Sequence, residues 1–171
     1  HIAFLELIID PVCSIVFEAE PDERDIMRRS PREARRPLLT RTMMFYSLMQ
    51  GVLALGAVSL AYAWLLQQGL SEQQVRAGGF MSLIAVNILL IVNNRSLQGH
   101  VMSGLWRPNP ALWRMLVLTI LLLGAVLAVP ALSNLFKMAM PPVSGLQAGC
   151  GAFLGAQVSL QILRWVRTAK A

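Results

Sequence analysis

At 171 residues, 56% hydrophobic and only 14% charged, the chain lies outside the composition of an ordinary soluble domain. Its formal net charge of +6 does not signal nucleic acid, because the basic residues sit between apolar runs and no nucleic-acid-binding motif is present. Two cysteines without metal or disulfide spacing, and no phosphate-binding glycine loop, nucleophile–base pair or zinc-ligand cluster, leave these residues without a recognisable catalytic centre.

Five apolar runs predict an all-α, polytopic transmembrane bundle of five spans. The first covers about residues 2–17 and carries Glu6-Leu7-Ile8-Ile9-Asp10-Pro11-Val12-Cys13. Glu6 and Asp10 are four apart, so on a helix they share a face with β-carbons roughly 5–6 Å apart and repel each other. Carboxylates at membrane depth cost a few kcal/mol each on insertion scales, at about 2.5–3.5 kcal/mol, so this pair calls for protons, a buried partner or a bound cation. Pro11 has no N–H for the Leu7 carbonyl and its ring crowds that carbonyl, which predicts a kink or an unwound turn beside the acids. Two carboxyl groups and a released carbonyl form the all-oxygen environment that hard cations take, and broken helices at membrane depth are where carriers place ion sites. The competing reading is a buried helix whose acids are paired with arginine. The available arginines lie far from mid-span in sequence, which weighs against it.

A loop over residues 18–42 follows, with seven arginines, six acids and three prolines. Such a mixture suits either a solvated, semi-rigid linker or a surface that docks on a cytoplasmic domain. Span two, about residues 43–66, is long and clean. Span three, about 76–92, is short and carries Asn87. Span four covers about 112–132 with Pro130 near its end, and span five, about 146–165, starts after Pro141-Pro142. Thirteen of the fifteen basic residues fall in the first loop, in the connection between spans three and four, and in the tail. By the positive-inside rule that side is cytoplasmic. This predicts an integral protein of the plasma, or bacterial inner, membrane with a cytoplasmic C-terminus. The chain opens inside an apolar run without a starting methionine, as expected of a piece of a longer protein.

Smaller signals have ordinary explanations. Cys13 and Cys150 read as apolar fillers, the nine scattered methionines as gap-fillers rather than copper ligands, and His1 and His100 have no evident partners. Gly145/Gly149 and Gly151/Gly155 have the spacing that lets membrane helices approach closely.

The stretch from His1 through Asp10-Pro11 to Glu18, followed by Glu20-Pro21-Asp22, Asp25-Ile26-Met27 and Arg28 to Arg32, resembles the sixth membrane helix and following loop of P-type cation ATPases of the calcium-pump and sodium-pump class. In that family the helix reads approximately Asn-Leu-x-Thr-Asp-Gly-x-Pro. Asn93-Asn94-Arg95-Ser96 is similar to the end of the eighth helix, and Val129-Pro130-Ala131-Leu132 with Leu135-Phe136 to the end of the ninth. The resemblance covers nearly the whole chain as helices six to ten, so residues 1–171 are expected to be a C-terminal transmembrane region.

The resemblance implies a set of ion ligands. Asp10 falls on the family's ion-binding aspartate, Glu6 on a position usually held by asparagine, and Asn87 on an eighth-helix position that is glutamate or glutamine in many members. Ile9 stands where a threonine can ligate, Pro11 where a glycine permits unwinding, and Cys13 where the family has its proline. An acid pair alternating between protons and a divalent ion fits these departures as well as a dedicated calcium site does. The resemblance further implies partners: the lipid bilayer, helices one to five of a parent chain, and a phosphorylation domain met by the 18–42 loop. ATP hydrolysis with Mg-ATP would belong to that parent chain; the residues here hold no cofactor and should not hydrolyse ATP alone. A proton-coupled secondary carrier or channel module, with no ATP step, is the alternative.

Overall fold

The computed structural model describes residues 2–21, 40–95 and 109–168, with the side chains of residues 2–4, 7, 8, 10 and 166–168 left out. Most of the 18–42 loop, the 96–108 connection, His1 and His100 therefore lie outside the described residues. The described residues form six helices and no strand: α1 (Ile2–Glu18), α2 (Arg41–Gln67), α3 (Glu72–Asn94), α4 (Pro110–Ala128), α5 (Pro130–Leu135) and α6 (Val143–Thr168). Four of them, α2, α3, α4 and α6, are long and apolar enough to cross a membrane. With 17 residues, α1 is shorter than these four.

Local chemistry explains the boundaries. The Thr40 hydroxyl caps α2 by accepting from the Met43 N–H at 3.2 Å. That helix stops where Gly69 takes φ +67°, a left-handed conformation that suits the residue past a helix end. Two residues on, Ser71 and Gln74 form a capping box: the Ser71 hydroxyl accepts from Gln74 N–H at 3.3 Å, and the Gln74 amide oxygen from Ser71 N–H at 3.1 Å. The third span accordingly starts at Glu72, four residues before the apolar run, so the predicted 76–92 is lengthened at both ends. The fourth is cut: α4 ends at Ala128, where Pro130 disfavours the helical region for the residue before it and Val129 sits at φ −89°, ψ 117°. Pro130 then starts α5, so the predicted 112–132 span is two helices.

The bundle is arranged around α3. Some 61% of its most apolar segment is buried, against 17–22% for the other three long helices. On one side it meets α2 and α6 through Val75, Val86 and Leu89, packed on Leu65 and on the stripe Ala148, Ala152, Ala156 and Leu160. Four-residue spacing of small side chains lets α6 ride close along α3, which is how helices associate in lipid, where burying apolar surface gives no advantage. A β-carbon added to Gly79 would stand 2.6 Å from the Tyr62 ring, so the α2–α3 hairpin also needs a missing side chain. On its other side α3 packs Ile91 and Val92 against Val12 and Val16 of α1 and Leu112 of α4, and Phe80 and Ile84 against Val126 and Met138.

Candidate cation site

The packing of α1 separates its faces. Val12 and Val16 are buried and Leu5, Ile9 and Cys13 are half-buried, a three- and four-residue spacing that marks one stripe. At about 100° per residue, Glu6 lies about 80° round the helix from the middle of that stripe, and position 10 about 120° round. Glu6 is exposed, and no described ion pair involves it. The side chain of Asp10 lies outside the described residues; its backbone is helical, one turn on from Glu6.

Pro11 does not unwind the helix. α1 runs from Ile2 to Glu18 with Pro11 inside it, so of the expected kink or unwound turn the unwound turn does not form. Proline removes a single backbone hydrogen bond, whereas opening the turn would strip several more peptide groups of partners, each costing several kcal/mol in hydrocarbon. The Leu7 carbonyl still has no N–H to accept from at position 11, so an acceptor remains beside the acids without loss of the helix.

Asn87 stands on the flank of α3, half-buried, between the stripe that meets α1 and α4 and the one that meets α2 and α6. Its Nδ2 donates to the Leu83 carbonyl at 2.9 Å, one turn back. That bond uses the amide's donor side and not Oδ1. No hydrogen bond joins Asn87 to Glu6 among the described residues, nor do they contain a group of three or more His, Cys, Asp or Glu side chains able to hold a metal.

The arginine-rich end holds a polar arrangement that reading along the chain does not reveal. Glu20, just past α1, accepts from Arg95 at the end of α3: Nε to Oε2 at 2.7 Å and Nη2 to Oε1 at 3.4 Å. The Arg95 side chain is fully buried and that of Glu20 only 14% exposed. Asn109 completes the group. Its Oδ1 caps α4 by accepting from Leu112 N–H at 3.1 Å, and its Nδ2 donates both to Glu20 Oε2 and to the Val16 carbonyl, each at 3.0 Å. The last carbonyls of a helix lack intrahelical donors. Because Glu20 N–H turns to Phe17, Val16 would be such an orphan without Asn109. One amide thus ends α1 and begins α4, while the guanidinium sits at the end of α3, where the helix dipole favours positive charge.

Sequence reasoning treated these arginines as orientation signals. Two local cues pointed further: Asn109-Pro110 has the cap-then-proline pattern of a helix start, and Glu20 and Arg95 both fall in the stretches that carry the family resemblance. A second tie joins α3 to α6: Asn93 Nδ2 donates to the Leu89 carbonyl at 2.9 Å and to Gln157 Oε1 at 3.1 Å, and the Arg164 guanidinium donates to the Asn93 carbonyl.

Compared with known families, residues 1–167 match the model described as cation transporting ATPase, C-terminus. No curated protein matches the chain.

Proposed function

The chain belongs to the family of cation-transporting ATPase C-terminal regions, and on that premise we propose that it is the C-terminal membrane part of an ATP-driven cation pump. In this reading Glu6 and Asp10 on α1, with Asn87 on α3, supply carboxylate and amide oxygens to the travelling ion. The observation that carries it is the division of α1: its apolar stripe is spent on α3 and α4, while Glu6 stands exposed on a face that no described helix covers. A charged group on an apolar helix is costly unless it is used. The helices that would cover that face belong to the part of the pump expected to precede residue 1.

Chemically, two carboxylates one turn apart repel, and a cation between them removes the repulsion. Protons take its place when it leaves, so the pair suits an exchange of protons for a calcium-like or other cation. Ile9 and Cys13 offer no hard oxygen, which leaves the acids and the Leu7 carbonyl as the oxygen donors of this turn. The 18–42 loop, on the basic and therefore cytoplasmic side, is the segment placed to meet a phosphorylation domain.

The test is cation-stimulated, vanadate-sensitive phosphorylation of the full-length protein together with transport into sealed vesicles. Asp10→Asn is expected to abolish cation stimulation while the protein still accumulates in the membrane. Stimulation and transport that survive Asp10→Asn refute the assignment. Transport driven by a proton gradient without nucleotide would replace the pump with a carrier.

A further inference from the structure

We propose that Glu20, Arg95 and Asn109 form a latch that sets the register of α1 against α3 and α4, making them positioning residues for the acid face of α1. The inference rests on the pump reading for its functional consequence, but its structural content stands apart from that reading.

Three observations converge on it. The contact is long-range in sequence yet concentrated in space, with Glu20 accepting from a residue 75 positions away and from another 89 positions away. It is withdrawn from solvent, with the guanidinium fully covered, so its geometry is fixed rather than averaged over the many arrangements of a surface pair. And it holds α1 at one end only. The turn nearest the latch contains Val16, fully buried, whereas Glu6, ten residues earlier, is exposed. Leu5 packs on α3 and α4 near the acids, so an error of register at the latch is carried along the rod to Leu5 and Glu6 together, about 1.5 Å of rise per residue away.

The chemistry of the grip is directional. Past the end of α1, the Glu20 carboxylate faces the negative pole of its own helix, an unfavourable placement on its own. The Arg95 guanidinium and the two Asn109 donor bonds reverse that balance. Bidentate and amide bonds fix angle as well as distance. Apolar contacts along the stripe of Leu5, Val12, Cys13 and Val16 set which face of α1 is covered but fix angle and distance less sharply than directional bonds do. With the latch, a slip by a residue breaks all of the bonds to Glu20 and the Val16 carbonyl together.

The experiment uses the full-length protein in membranes, with Glu20→Gln, Arg95→Gln, Asn109→Asp and the Glu20→Gln/Arg95→Gln pair. Asn109→Asp keeps an oxygen to cap α4, removes the two donors and sets a second carboxylate against Glu20 and the Val16 carbonyl. Two quantities are read per folded molecule: the cation concentration for half-maximal stimulation, and a spin-label distance between cysteines at the exposed positions Ala19 and Asn94, in a Cys13→Ala/Cys150→Ala background. We expect half-saturation to rise about fivefold or more with a smaller change in maximal rate, the label distance to shift or broaden in each single variant, and the pair to be no worse than its worse member. Lower yield of folded protein with unchanged half-saturation and unchanged label distance overturns the proposal and leaves a merely stabilising contact. If the unaltered protein shows no cation stimulation, the pump reading fails, while a shifted label distance still upholds the latch.

Discussion

The two sides of α3 are built on different principles. Toward α2 and α6 the interface is made of alanines at four-residue spacing, bare glycine backbone and a closing tie through Asn93, Gln157 and Arg164. Toward α1 and α4 it is made of larger side chains and, among the described residues, one buried ion pair, and it leaves Glu6 of α1 exposed. Small side chains permit close backbone approach and hold two helices as one body, whereas bulky side chains with a polar clamp hold a helix in place and leave part of it uncovered. The acid-bearing helix is on the second side. In the function proposed above, the face left open on α1 is the one the rest of the pump would cover.

Breaking the clamp should produce the largest effect. Arg95→Ala leaves the Glu20 carboxylate mostly buried, beside the negative end of α1, and removing one partner of a buried pair typically costs about 3–5 kcal/mol. Thermal unfolding in mild detergent should show a large fall in midpoint. Replacing both partners with apolar residues of similar volume should recover much of the loss, because the desolvated charge goes with them. On the other side the equivalent insult is steric. Ala156 is fully buried in the α3–α6 seam, and Ala156→Leu should cost about 1–3 kcal/mol by forcing the helices apart, read as a lower midpoint with cation half-saturation unchanged. A large shift in half-saturation for Ala156→Leu and none for Arg95→Ala would invert the comparison.

How legible each side was in the sequence follows from how it is held together. The spans stand out because apolar runs in lipid report their own length; the fifth follows Pro141-Pro142 as expected, but starts at Val143 rather than about 146 and runs to Thr168. The third span starts at Glu72 rather than about 76, because the capping box of Ser71 and Gln74 lets the polar Glu72-Gln73-Gln74 open the helix. The fourth span is shorter than its apolar run, because Val129-Pro130 breaks it and starts a new helix beyond. Glu6 and Asp10 stood out because acids in an apolar run are conspicuous, but which way they face depends on the neighbours of α1. The latch was the least visible part. Glu20, Arg95 and Asn109 are each unremarkable in their own segments, and only the fold brings an ion pair out of them.

Two weaker perturbations sharpen the contrast. Ser71→Ala removes the hydroxyl that starts α3, and loss of such a cap costs typically about 1 kcal/mol. Because α3 serves both sides, the loss should lower the unfolding midpoint slightly and equally in the unaltered protein and in Arg95→Ala. A strongly non-additive pair would mean that the two ends of α3 are coupled.

The smallest effect is expected from glycines that look alike in sequence and differ in space. Gly145 and Gly151 both lie in α6 within the helix-approach spacing. A β-carbon at Gly145 would stand 2.4 Å from the Pro141 ring, whereas one at Gly151 meets nothing within 4 Å. Gly151→Ala should therefore be neutral or stabilising by less than about 1 kcal/mol, since alanine is the better helix former. Gly145→Ala should cost more, because the Pro141-Pro142 entry to the helix has to move. Equal effects at the two positions would mean that Gly151 meets a neighbour outside the described residues, and that the α2–α6 side is as incomplete as the α1 side.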